Sequence, residues 1–217
     1  MRLLYLLSII PFMVIGKLVF SSNLFGMSYK LNKCLHAVDL RHTEIPNYFI
    51  SYLVAAEDHR SPHHFGIDPI GILRAFYIGL TTNKVQGAST IEQQFVRVVT
   101  GDYSHSLLRK FREQLLAIAL TSQRSKNDIA KAYLAMAYYG YKCEGTDGIV
   151  KIIGKELQIT SEDQVISIIA RLKYPKPLHF SREWNDKSYW RGRYIKRRHE
   201  KAANKLMLAD AEKRAAN

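Results

Sequence analysis

The apolar positions of the chain fall into blocks whose spacing changes from one end to the other. The first block, Leu3 to Phe20, is apolar throughout except for Ser8, Pro11, Gly16 and Lys17. A helix over these residues spans about 27 Å, close to a bilayer core of roughly 30 Å. The block predicts an uncleaved transmembrane anchor over residues 1–22, with Arg2 left on the cytoplasmic side by the positive-inside rule. A cleaved signal peptide is the rival, but Phe20-Ser21-Ser22-Asn23 is a poor match to a small-residue cleavage site. In either case the body is exported. Residues 23–44 are polar and irregular in pattern, and predict a juxtamembrane linker.

From Pro46 the spacing becomes helical. Phe49, Ile50, Leu53, Val54 and Ala56 share one face. Glu57, four residues after Leu53 and three after Val54, ends this helix on its apolar side. A carboxylate there is partly desolvated, which suits a general base; an ordinary Glu at a fraying helix end fits the spacing equally. Asp68-Pro69 has the form of an N-cap and a first-turn proline, opening a helix toward Leu80 that carries Arg74. Residues 81–88 predict a mobile loop hinged at Gly87. Ser89-Thr90-Ile91-Glu92 matches a capping box and opens a short helix bearing Gln93, Gln94 and Arg97. Free N–H groups at a helix start beside an Arg suit an anion; a well-capped helix with no ligand has the same pattern.

The longest regular pattern runs from about Ser106 to Ser122, with Leu108, Phe111, Leu115, Ile118 and Ala119 on the core face. Glu113 lies well off that face, four residues after Arg109 and three after Lys110, cations that favour its ionised form. A surface ion pair of little energetic weight is the plain alternative. Ser125-Lys126-Asn127-Asp128 caps a helix through Ile129, Tyr133, Leu134 and Ala137 that ends near Gly140. Gly140, Gly145 and Gly148 mark turns. Thr160-Ser161-Glu162-Asp163 caps an apolar helix, Val165 to Leu172, stopped by Pro175 and Pro177. The tail from Asp186 is basic, with Arg191, Arg193, Lys196, Arg197 and Arg198, and predicts a surface helix against an anionic membrane or the body. The fold class is all-α, with roughly six to eight helices, no convincing strand pair and no internal repeat.

Composition narrows the partners. The chain of 217 residues suits one domain with room for a small second lobe. At 47% hydrophobic and 24% charged residues it is globular rather than disordered. A formal net charge of +13 implies an anionic partner: nucleic acid, an anionic membrane or a phosphorylated substrate. Export and the lack of a basic stripe interleaved with stacking aromatics argue against nucleic acid. Cys34 and Cys143 lack metal-ligand spacing; they could pair, but buried free thiols are expected. His59, His63 and His64 raise a metal site, yet no second ligand pair stands at helical spacing, so a solvated loop without metal is expected.

Taken together, residues 45–180 resemble the family-51 glycosyltransferases, the peptidoglycan polymerases. The family's motif E-D-x-x-F-x-x-H-x-G-x-D is matched by Glu57, Asp58, His64, Gly66 and Asp68, with Arg74 following on the next helix. Its G-G-S-T-I-T-Q-Q is matched by Gly87, Ser89, Thr90, Ile91, Gln93 and Gln94, with Ala88 for the second Gly. Its R-K-x-x-E is matched by Arg109, Lys110 and Glu113. Its K-x-x-I-L-E-x-Y-L-N is matched only by Lys126, Ile129, Tyr133 and Leu134. The resemblance implies a lysozyme-like helical lobe with a small membrane-proximal jaw, and an enzyme that polymerises lipid II. By that resemblance Glu57 is the base and Glu113 stabilises the donor side. Asp58, His64, Arg74, Ser89, Thr90, Gln93, Gln94, Arg97, Arg109 and Lys110 would bind substrate. No tightly bound cofactor is implied, beyond a divalent cation, Mg or Mn, at the pyrophosphate. The implied setting is the inner membrane, single-pass with the catalytic part outside, where lipid II, the growing glycan chain, anionic lipid and other cell-wall synthesis proteins are the partners. Residues 181–217 form a basic tail, and the absence of a following transpeptidase domain suggests a short monofunctional form.

The departures bear on activity. Ser61 replaces the aromatic of the first motif. Arg97 stands where the family usually has Lys, and binds phosphate with a different fork geometry. His105 stands for an Arg, and a neutral His supplies less charge to a pyrophosphate. Lys131 and Ala135 replace the Glu and Asn of the fourth motif, and Ile152-Ile153 replaces a Tyr-Phe pair. Both glutamates remain, which favours an active enzyme. The alternatives are a weak or inactive member that binds lipid-linked sugars or cell-wall enzymes, one acting on another lipid-linked donor, and a glycan hydrolase. The cations flanking Glu113 oppose the last, since neutral glycan has no pyrophosphate to hold.

Overall fold

A computed structural model describes residues 2–21, 26–82, 87–154, 156–179 and 181–215. It is mostly helical and divides into two compact units: residues 1–45 with 58–136, and residues 46–57 with 137–217. The chain thus crosses between units at the Glu57-Asp58 peptide.

In the first unit, α1 (Arg2–Ser21) and α2 (Met27–Arg41) are followed, after the excursion of α3 into the second unit, by α4 (Pro69–Thr82), α5 (Ile91–Thr100), α6 (Leu107–Thr121) and α7 (Lys126–Leu134). Helix α5 packs on α6 and α7, and α2 lies against all three. Phe95, Leu115, Leu116, Leu120, Ile129 and Leu134 form the core with Met27, Cys34 and Val38 of α2. The expected irregular linker over 23–44 is therefore corrected over most of its length. Met27, Cys34 and Val38 do stand at helical spacing, but weakly apolar Met and Cys hold two of the three places. Helix α6 starts one residue after Ser106, whose Oγ accepts the Arg109 N–H at 3.1 Å. Leu108 of the expected core face is exposed, while Leu115 to Ile118 and Leu120 are buried, because α5 and α2 enclose the second half of the helix.

Asp68 caps α4 as expected. The Gly71 N–H donates to its Oδ1 at 2.9 Å, and Arg60 Nε donates to Oδ2 at 2.8 Å. Burial acts to raise the Asp68 pKa, but the Arg60 guanidinium and the Gly71 N–H outweigh it and hold the carboxyl below the usual range. A Cβ at Gly71 would lie 2.5 Å from Asp68 Oδ2, so the first turn of α4 admits no side chain there. Beyond that turn α4 leaves Leu73, Phe76, Tyr77 and Leu80 exposed, on one stripe at helical spacing. The expected mobile loop falls mainly on residues 83–86, which lie outside the described residues.

The second unit holds α3 (Tyr48–Glu57), strands β1 (Tyr138–Gly140) and β2 (Cys143–Glu144), α8 (Gly145–Ile153), a single 3-10 turn (Leu157–Ile159), α9 (Glu162–Lys173) and α10 (Arg182–Ala215). Helices α3, α9 and α10 pack on one another around Phe49, Leu53, Ile168, Ile169 and Ile195. The expectation of no strand pair is overturned. Tyr138 pairs with Glu144 and Gly140 with Cys143 in an antiparallel hairpin, turned by Lys142 at φ 56. Such short strands carry no readable alternation. The helix expected to reach Gly140 ends instead at Leu134. Gly140 has φ 129, and a Cβ there would lie 2.4 Å from Lys176 N. That close approach lets Lys176 N donate to Tyr139 O at 3.1 Å and Tyr141 N donate to Lys176 O at 2.9 Å. The basic tail is continuous with α10, which packs against the body of its unit through the buried Ile195.

The expected anchor is helical over Arg2–Ser21, but the side chains of residues 1–9, 12 and 13, and all of 22–25, lie outside the described residues. Among the described residues no helix is long and apolar enough to cross a membrane.

Both cysteines are free; Cys34 is buried and Cys143 half-buried. Burial pushes the Cys34 thiol up to about 12, against a smaller opposing effect of Lys33. An ordinary cysteine titrates near 9.0, so at mildly alkaline pH Cys34 carries about a thousandfold less thiolate. Alkylation followed by peptide mass spectrometry should label Cys143 first and reach Cys34 only on unfolding. Equal labelling of both in the folded protein would contradict this placement.

Candidate active site

The strongest concentration of charge lies where α5 meets α6 in the first unit. Glu113, on α6, is 3% exposed. Arg97 of α5 grips it with both arms of its fork, Nη2 to Oε1 at 3.0 Å and Nε to Oε2 at 3.1 Å. Lys110 Nζ donates to Oε1 at 3.0 Å, and Arg109 Nη1 donates to Oε2. Three cations on one carboxylate leave a formal excess of two positive charges. Ser89 joins the cluster: its Oγ accepts from Lys110 Nζ at 2.8 Å and from Arg97 Nη2 at 3.4 Å. The expectation that Glu113 stands off the core face is corrected: Leu116, Ala117 and Leu120, three, four and seven residues on, are buried with it, so the carboxylate sits at the start of the buried face of α6.

Helix α5 is held at its start. Thr90 is the N-cap, accepting the Gln93 N–H on its Oγ1 at 3.3 Å, while Gln93 Oε1 accepts the Thr90 N–H at 3.0 Å. The box expected on Ser89 and Glu92 is one residue further on. Both registers satisfy the same pattern in the sequence, and the structure chooses the one in which Thr90 Oγ1 also donates to Gly66 O at 2.7 Å. Gly66 has φ 80, and a Cβ there would lie 2.6 Å from Ala117 O, which accounts for the glycine of the first motif. Gln93 is buried, and its Nε2 has no hydrogen-bond partner among the described residues. Gln94 Oε1 accepts the Tyr133 hydroxyl at 2.7 Å.

Beneath this helix start lies a buried polar group that the sequence did not reveal as a unit. His64 Nε2 stands 2.9 and 3.0 Å from the two oxygens of Asp58. Its Nδ1 lies 3.1 Å from Lys126 Nζ. An ammonium has no lone pair, so Nδ1 must accept, and His64 is the neutral Nε2–H tautomer donating to Asp58. Asp58 Oδ2 also accepts the Ile91 N–H at 3.3 Å. Glu92, 1% exposed, pairs with Lys126 Nζ at 2.9 Å, but neither of its oxygens has a well-directed hydrogen bond. Ligand atoms of Asp58, His64 and Glu92 lie within 4.8 Å of one another, a spacing that could hold a metal; here the ammonium of Lys126 stands among them.

Glu57 belongs to the second unit, at the end of α3. Arg191 of α10 donates from Nη2 to Glu57 Oε1 at 2.6 Å and to Ala56 O at 3.0 Å. Its guanidinium lies over the Tyr194 ring, 5.0 Å from the centroid. No local signal could have found this partner, which is 134 residues away in the chain. Among the other expected residues, Arg74 is half-buried on α4, and its Nε has no hydrogen-bond partner among the described residues. His105 is exposed in the loop before α6, and Lys131 is half-buried on α7.

Burial lowers the Lys110 pKa, and the Glu113 charge opposes that. Glu113→Gln removes the opposing charge, so Lys110 should lose its proton at lower pH and react faster with an amine-directed acylating reagent at mildly alkaline pH. Unchanged Lys110 labelling would contradict the pairing.

Residues 29–200 match the family profile described as Transglycosylase. The chain is 33% identical over 144 residues to penicillin-binding protein 1A of Vibrio cholerae, covering 65% of this chain and 18% of that protein. It is 35% identical over 134 residues to penicillin-binding protein 1A of Aquifex aeolicus, covering 61% and 18%. A monofunctional glycosyltransferase of Staphylococcus epidermidis is 34% identical over 134 residues, covering 56% of this chain and 50% of that protein. The chain thus spans half or less of the length of these relatives. The profile nevertheless runs through both units and through every motif described above, and the chain belongs to the transglycosylase family.

Proposed function

We propose that the protein is a peptidoglycan glycosyltransferase that polymerises lipid II into glycan strands. The observation that carries this is the cluster of Arg97, Arg109 and Lys110 on the buried Glu113. Its excess positive charge is fixed in place before any ligand arrives, which suits a leaving group carrying concentrated negative charge. In the proposed reaction the acceptor 4-hydroxyl oxygen forms a bond to the anomeric carbon of the growing chain. The bond from that carbon to undecaprenyl pyrophosphate breaks. Glu57 takes the hydroxyl proton, and Arg97, Arg109 and Lys110 take up the charge on the departing pyrophosphate; a divalent cation held by the pyrophosphate itself would add countercharge there. Arg191 holds the Glu57 carboxylate in one orientation. The helical fold of the chain would be lysozyme-like.

The proposed setting is a membrane surface, with the body outside. The exposed stripe of Leu73, Phe76, Tyr77 and Leu80 on α4 suits lipid contact, and the apolar run from Leu3 to Phe20 would anchor the chain. Lipid II, the growing strand, anionic lipid and other cell-wall synthesis proteins are the proposed partners. A hydrolase acting on neutral glycan has no use for the charge excess. A non-catalytic, lipid-linked-sugar-binding member is the reading favoured by the replacements at His105, Lys131 and Ala135.

Purified protein in detergent should form polymer from lipid II, and Glu57→Gln should abolish it while leaving the fold intact. A folded wild type that binds lipid II without polymerising it would favour the binding member. Arg191→Ala should lower the polymerisation rate by about tenfold to a hundredfold, the scale expected when a reacting group loses its fixed position. A wild-type rate in Arg191→Ala would remove that residue from the account.

A further inference from the structure

Two departures from the family pattern, thirty-one positions apart in the sequence, meet on a single side chain. Ser61 stands where the first motif has an aromatic residue. Glu92 stands where G-G-S-T-I-T-Q-Q has its second Thr. In the structure both touch Lys126: its Nζ donates to Ser61 O at 2.8 Å and to Ser61 Oγ at 3.3 Å, and pairs with Glu92 Oε1 at 2.9 Å. A Thr at position 92 would leave that ammonium without its counter-charge. Conversely, a buried Glu92 without Lys126 would be a lone charge in a dry site, which is strongly disfavoured. The family pattern has the same Lys beside the aromatic and the Thr; in this chain its ammonium has Ser61 and Glu92 as partners instead.

We infer that Ser61 and Glu92 form a socket for the Lys126 ammonium, and that Lys126, held there, is a positioning residue for helix α5. The connection is continuous. Lys126 Nζ donates to His64 Nδ1 at 3.1 Å, which keeps the ring proton on Nε2. That N–H is directed at Asp58, and the oriented Asp58 carboxylate receives the N–H of Ile91, the first residue of α5. Helix α5 presents Arg97 to Glu113. Without the ammonium, His64 Nδ1 would no longer be held as an acceptor, and nothing would keep the ring proton on Nε2. In the Nδ1–H tautomer Asp58 would lose the imidazole donor that orients it, and its hold on the Ile91 N–H at the start of α5 would loosen. The lock itself is independent of the enzyme's reaction; only the consequence at Arg97 rests on the function proposed above.

The test uses two readouts on the full chain. Nitrogen-15 spectra of His64 distinguish the Nε2–H tautomer, the Nδ1–H tautomer and the imidazolium. Wild type should show Nε2–H alone. Lys126→Met should no longer show Nε2–H as the single form. The double variant Lys126→Met/Glu92→Gln removes both charges together, leaves the net charge of the site unchanged and should fold; it should lose the single tautomer. In lipid II polymerisation the same double variant should raise the KM for the lipid-linked donor by about tenfold, within the range that misplacement of a binding group produces, with a smaller effect on kcat. Ser61→Ala, which deletes only the Oγ contact, should move both readouts in the same direction by less, and decides the matter if the double variant does not fold. A double variant, or failing that a Ser61→Ala variant, with wild-type His64 spectra or wild-type donor KM would overturn the inference. If wild type makes no polymer, the function proposal fails while the spectra still decide the lock.

Discussion

Glu113 holds the first unit's chemistry together. Three cations converge on its buried carboxylate from two helices, and they could not stand so close to one another without it. Arg97 comes from α5, while Arg109 and Lys110 come from the turn of α6 just before Glu113. The carboxylate therefore does two things at once. It joins the helices, and it holds their side chains in fixed directions while neutralising only part of their charge. An anion arriving at the surface meets cations already oriented, so little reorganisation is left for the moment of binding or reaction. Ser89, accepting from Lys110 and Arg97, extends the same constraint to the residue before the N-cap of α5.

The two adjacent acids of the first motif serve different units. Glu57 ends α3 and is held by Arg191 of α10 within the second unit. Asp58 begins the first unit, is buried, and turns to His64 and the start of α5. Adjacent in sequence, they differ in partner and in surroundings: one faces a guanidinium, the other a neutral imidazole. Titratable groups placed in contrasting environments are what divided acid/base and binding roles require. The C-terminal helix is accordingly part of the site's support and not an appended tail, since removing it would leave Glu57 without its cation.

Much of this was legible in the sequence, and the gaps have physical causes. Helices α3, α4, α6, α7 and α9 were announced by caps and by apolar spacing, as with Asp68-Pro69 and Ser106. The pairing of Glu113 with Arg109 and Lys110 followed from helical geometry alone. Helix α2 was hidden because Met27 and Cys34 are weak apolar signals among Lys30, Asn32, Lys33 and His36. The hairpin at Tyr138–Glu144 was too short to show an alternation. The cap of α5 was ambiguous because two overlapping registers fit one pattern, and that ambiguity concealed Glu92, which is not a capping acid but the counter-ion of Lys126. Arg191 was invisible for a different reason: contacts between residues far apart in the chain leave no local trace. The replacement at Ser61, a loss of packing when judged by residue type, proves to be a polar seat for Lys126.

The most direct test of this account is the affinity of the full chain for undecaprenyl pyrophosphate in detergent, compared with a neutral glycan of similar length, in wild type and in Arg97→Ala. The account predicts binding of the pyrophosphate that weakens as salt rises, falls by about tenfold or more on loss of the Arg97 guanidinium, and exceeds binding of the neutral glycan. Equal affinity for the two ligands, or an Arg97→Ala protein that binds the pyrophosphate as wild type does, would contradict it.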